Sequence, residues 1–222
     1  MTQALKLLTG ALLLFTASIV NAQVGAIAGG GIDGSSHDAR NWFGNNSRQT
    51  CIFCHAPHNT STQGPLWSHA STTATYTLYA SSTMTATPGQ PGSISKLCLS
   101  CHDGTVAINN YAGGSGGLKF SAGDTAYIGI DLSNDHPVGI TYNAASAASN
   151  GKLADPTTKS VTIGSSVSKS GTITAMMLVD GKVECTSCHD VHNRYTVQTN
   201  SGRGLVKVNL AGSTLCLQCH NK

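Results

Sequence analysis

Large apolar side chains and charges are both scarce in this chain. Aromatic residues make up 5% of its 222 positions, and Asp, Glu, Lys and Arg together make up 10%. Ser, Thr, Gly and Ala fill much of the rest. A core built from such side chains is thin, because small residues remove little apolar area from water. No basic cluster is present, so the formal charge of +3 and the pI of 8.4 do not point to nucleic acid. Beyond the N-terminus no stretch is apolar enough to span a bilayer.

Spare cysteines are also lacking. The chain has eight cysteines, and every one stands in a Cys-x-x-Cys-His unit. The units are Cys51/Cys54/His55, Cys98/Cys101/His102, Cys185/Cys188/His189 and Cys216/Cys219/His220. A single Cys-x-x-Cys is compatible with a redox dithiol or half of a zinc site, and an exported cysteine-rich chain with disulfide staples. None of these explains a histidine directly after every pair. The attachment of c-type haem does. Thiols at i and i+3 share one face of a helical turn, where they can add to the two vinyl groups of one porphyrin. The next residue then offers an imidazole to the iron. Four units predict four covalently bound haem c groups, with His55, His102, His189 and His220 as proximal ligands.

The N-terminal "MTQALKLLTGALLLFTASIVNAQ" has Lys6, an apolar stretch over Leu7–Val20 and the small-residue pattern Val20-Asn21-Ala22. It reads as a secretory signal peptide over 1–22, cut after Ala22, too short in its apolar part for a membrane anchor. Export suits haem attachment outside the cytoplasmic membrane. Loss of Lys6 and the addition of eight haem propionates would bring the mature holoprotein to about −6 at neutral pH.

Residues 23–222 form the expected tetrahaem domain, with an internal repeat of about 37–110 and 136–222. Each half has Cys-x-x-Cys-His-x-x-His, then a plain Cys-x-x-Cys-His, and one histidine upstream: His37 in the first, His136 in the second. Residues 111–120 and 143–152 read as connectors rich in small and polar residues, and 87–93 as a turn region. Residues 160–185 alternate apolar and polar side chains with a tight turn at Asp180-Gly181, which predicts one or two β-hairpins. The expected fold is mostly irregular, with short helices at the motifs, a few hairpins and four haems as the core.

Nine histidines less four proximal ones leave His37, His58, His69, His136 and His192 for four sixth-ligand positions. His58 cannot serve the iron of His55. Nitrogens trans on one iron are roughly 4 Å apart and approach from opposite sides, whereas i and i+3 side chains project the same way. His58 and His192 therefore reach other haems. A reciprocal exchange is expected, His58 to the Cys185/Cys188 haem and His192 to the Cys51/Cys54 haem. His69 falls outside the repeat and reads as the spare. Met84, Met176 and Met177 read as core or loop residues, since enough histidines are present.

The segments "CIFCHAPHN", "GPLW", "KLCLSCHDGTVA", "DHPVGI", "CTSCHDVHN" and "LCLQCHNK" resemble the doubled-CXXCH multihaem c-type cytochromes of metal-reducing bacteria. Among these the chain is similar to the tetrahaem subunits of extracellular cytochrome filaments (OmcE type), from about His37 to the C-terminus. The resemblance implies four bis-histidine haems with distal positions at His37, His58, His136 and His192. It also implies a homopolymer in which each subunit donates one haem ligand to its neighbour. His37 follows the glycine-rich "GAIAGGGIDGSS", so it is the expected donor. The function so expected is electron transfer without a catalytic site, by a secreted extracellular or cell-surface filament subunit whose redox partners include a mineral acceptor. A monomeric periplasmic shuttle and a multihaem reductase with one open iron are the alternatives.

Overall fold

The computed structural model describes residues 28–40, 49–58, 60–197 and 204–221; the expected signal peptide lies outside them. Regular elements are few and short. They are α1 (Ser93–His102), β1 (Ile140–Thr141), α2 (Ala144–Asn150), β2 (Ser160–Gly164), β3 (Ser168–Thr172), α3 (Ile173–Met177), β4 (Lys182–Val183) and α4 (Cys185–Cys188). Two 3-10 turns follow at Ala211–Ser213 and Cys216–Gln218. Among the described residues no helix is long and apolar enough to cross a membrane.

The hairpin expected in 160–185 is present as β2–β3, antiparallel, with Ser160 opposite Thr172 and Gly164 opposite Ser168. Alternation puts Val161 and Ile163 on the buried face. The second half of that stretch differs from the hairpin reading. Thr172 Oγ1 accepts from Ala175 N–H and caps α3, which buries Ile173 and Met177 four residues apart on one face. The turn at Asp180-Gly181 is as expected, with φ of 51° and 69°, values that glycine adopts at no steric cost. β4 then pairs with β1, Ile140 opposite Val183, and ties the two sides of the second half together. The connector at 143–152 also contains a helix. Asn143 and Ser146 form a capping box, four alanines favour the helical turn, and Gly151 closes it in the left-handed region.

The largest apolar cluster among the described residues joins Tyr142, Ala147, Ala154, Val161, Ile163, Ile173, Met177 and Val208. A smaller one joins Tyr76, Leu99 and Leu132. The hairpin region thus supplies a protein core to the second half, beyond the cover expected of it. Ile173, with no exposed surface, is its centre. Its replacement by Ala should cost about 2–5 kcal/mol, read as a lowered melting temperature by far-ultraviolet circular dichroism.

Candidate functional site

Each Cys-x-x-Cys-His unit is a helical turn. His55 N–H donates to the Cys51 carbonyl at 2.9 Å, His189 to Cys185 at 3.1 Å and His220 to Cys216 at 2.9 Å. Cys98–His102 is the last turn of α1. The turn places both thiols of a unit on one side with the imidazole beside them, and none of the eight cysteines is in a disulfide.

The imidazoles are oriented by backbone carbonyls. His55 Nδ1 lies 2.8 Å from the Pro65 oxygen, His102 Nδ1 2.7 Å from that of Ala126, and His189 Nδ1 2.7 Å from that of Gly204. A carbonyl only accepts, so Nδ1 carries the proton and Nε2 keeps its lone pair. That is the arrangement of a metal-ligating histidine. Two of these carbonyls are matched between the halves. Around His55, Ala56 N–H donates to Leu66 and Ser68 N–H to Cys54. Around His189, Asp190 N–H donates to Leu205 and Lys207 N–H to Cys188. The internal repeat therefore includes a returning segment after each doubled motif, 64–68 and 204–207.

Three proximal rings each face a second imidazole. His192 stands 6.3 Å from His55 with planes 17° apart, His37 6.0 Å from His102, and His136 6.5 Å from His220. Imidazoles bound through Nε2 to opposite faces of one iron, at about 2 Å per bond, have ring centres roughly 6–6.5 Å apart. Burial first, then the His102, His189 and His192 rings, hold His37 down at about 4. It is therefore neutral, and able to donate a lone pair, above that pH. His136 Nδ1 is 3.1 Å from the Pro137 oxygen, which again leaves Nε2 available.

Of the two contacts expected for a reciprocal exchange, His192 lies beside His55, and His58 is exposed. The two doubled motifs differ where this matters. Asp190 accepts from the backbone of His192, Arg194 and Tyr195 at 3.1, 3.0 and 2.8 Å and fixes the turn that carries His192. The corresponding residue before His58 is Ala56, which offers no such acceptor, and His58 is exposed. His37, the donor expected for a neighbouring subunit, lies beside His102 of its own chain. His69 is no surface residue: it is 3% exposed, its Nδ1 is 2.6 Å from the Ala70 oxygen and its Nε2 is 3.5 Å from Cys101 Sγ. It stands beside the second motif and faces no proximal ring there. Met177 lies in the apolar cluster and Met176 packs against it.

Other features fit a porphyrin. A cavity of about 570 Å³ is lined by Cys51, His192, Arg194, Thr50 and Gly29–Gly31. A group attached at Cys51 and ligated by His192 would occupy it, with the Arg194 guanidinium available to a carboxylate. Trp67 Nε1, Ser68 Oγ and Thr186 Oγ1 are buried without a hydrogen-bond partner. Each adjoins the first or third motif, and buried donors require acceptors, which propionates would supply. Among the described residues no three His, Cys, Asp or Glu converge as a metal-ion site.

The orienting carbonyls of Pro65, Ala126 and Gly204, and the turn-fixing Asp190, stand outside the Cys-x-x-Cys-His pattern. A carbonyl acceptor carries no side-chain signature. Asp190 was discoverable, because Asp two residues before a loop residue commonly accepts from its N–H. No family model matches the chain, and no curated protein matches it.

Proposed function

We propose that the protein is a tetrahaem c-type cytochrome that passes electrons and has no catalytic site, working outside the cell as the subunit of a conductive filament. The observation that carries this reading is the set of facing imidazoles at 6.0, 6.3 and 6.5 Å, each opposite a Cys-x-x-Cys-His turn. Haem supplies one-electron redox chemistry when bound. The chain's own residues would hold it, Cys51, Cys54, Cys98, Cys101, Cys185, Cys188, Cys216 and Cys219 by thioether bonds and the histidines as ligands to the iron. A six-coordinate iron has no site for substrate, and paired histidines favour a lower potential than a methionine ligand would give.

His37, His136 and His192 are assigned to the irons of His102, His220 and His55. The iron of His189 is then the one to be completed between subunits, and exposed His58 is its donor in place of His37. Such a head-to-tail bond builds an open filament when its rotation does not close a ring. The reductase reading draws on the same observation, because an iron on His189 without a sixth ligand would be an open site. Carbon monoxide separates the two. The reduced filament should bind none, and stoichiometric binding with the His189 iron intact in the polymer would favour the reductase.

A further inference from the structure

We propose that Ser95 and Glu184 form a latch that docks the second attachment helix on the third, making Cys98 and Cys185 the junction between the two halves of the repeat. The inference rests on the haem reading above and adds which attachment sites are neighbours across the repeat.

The two residues are 89 positions apart and both buried, Ser95 with no exposed surface and Glu184 at 4%. Ser95 Oγ–H donates to Glu184 Oε2. The same Ser95 oxygen accepts from Cys185 N–H at 3.0 Å. Glu184 N–H in turn donates to Ser187 Oγ at 2.9 Å inside the first turn of α4. The carboxylate reaches the N-terminal end of α1, where unsatisfied N–H groups and the helix dipole favour a negative charge. Gly92, the N-cap of α1, makes the close approach possible, because a Cβ there would overlap Glu184 Oε1. Its φ of −69° is open to any residue, so the requirement is one of space.

The latch has a geometric consequence. Cys98 is three residues beyond Ser95 on the same helix face, and Cys185 directly follows Glu184. The two helices that carry these cysteines pack against each other. Groups carried on two helices docked in this way lie side by side, so the sites at Cys98/Cys101 and Cys185/Cys188 are neighbours. Ser95, Glu184 and Gly92 touch no histidine ligand in this account. They are positioning residues, acting through the two helices.

The test uses the holoprotein and reads the exciton couplet in the Soret circular dichroism, which depends on the mutual placement of haems. Ser95→Ala and Gly92→Ala should keep four haems by pyridine haemochrome assay, keep the low-spin absorption spectrum, and lose part of the couplet. Glu184→Gln should retain the couplet, because the amide oxygen still accepts from Ser95. An unchanged couplet in both Ser95→Ala and Gly92→Ala would overturn the latch. So would equal loss in Glu184→Gln. Fewer than four haems in the unaltered protein would instead refute the haem reading, so the two failures are distinct.

Discussion

Replacing His37, His136 or His192 by Ala should each convert one haem in four from low-spin to high-spin, a different haem each time, while His69→Ala leaves all four low-spin. The expectation follows from the ring pairs. His37 faces His102, His136 faces His220 and His192 faces His55, each at the separation of two ligands on one iron. Removal of one member leaves that iron five-coordinate, and a ferric haem with a single histidine is high-spin. His69 is the control because it is a buried imidazole with the same Nδ1 orientation, yet its Nε2 points at Cys101 Sγ. Its replacement should cost stability through the lost packing and polar contacts, about 1–3 kcal/mol, without a change in spin state. The check is electron paramagnetic resonance of the oxidised proteins, with magnetic circular dichroism to identify the altered site. A high-spin signal from His69→Ala with none from His136→Ala would reverse the assignment.

His58→Ala should abolish filaments and release subunits that each carry one high-spin haem. His58 is exposed, and its loop lacks the acceptor that Asp190 provides to His192. On the proposed assembly, a bond between His58 and the next subunit's iron would make assembly and coordination one event. Added imidazole should therefore restore the low-spin spectrum of the variant without restoring filaments, since the free ligand completes the iron but links nothing. His37→Ala should act oppositely: one high-spin haem within subunits that still polymerise. Size-exclusion chromatography and negative-stain microscopy, read beside the spectra, separate these outcomes. Normal filaments from His58→Ala would exclude it as the bond between subunits.

Much of the site is legible in the sequence because its first requirement is local. A Cys-x-x-Cys-His unit needs only one helical turn, and all four units form one. The upstream histidines His37 and His136 were legible as a matched pair through the repeat, and each lies opposite the plain motif of its own half. What the sequence leaves open is set by tertiary topology. Which distal histidine meets which proximal one depends on loops rich in Gly, Ser and Thr, whose paths no hydrophobic period specifies. The carbonyls of Pro65, Ala126 and Gly204 orient rings from 10, 24 and 15 residues away. The short helices α2 and α3 lie in stretches read as connector and hairpin, because one capped turn of Ala or Met is too brief for periodicity to separate from its surroundings.

The most direct test of the account is a quantitative pairing of haem content with spin state on the intact, oxidised polymer. Pyridine haemochrome assay and mass spectrometry count the covalent haems, and electron paramagnetic resonance counts high-spin iron. The account predicts four thioether-linked haems per chain and only low-spin ferric signals, with no carbon monoxide adduct on reduction. Fewer than four haems, or a high-spin signal equivalent to one iron per chain in intact filaments, would contradict it.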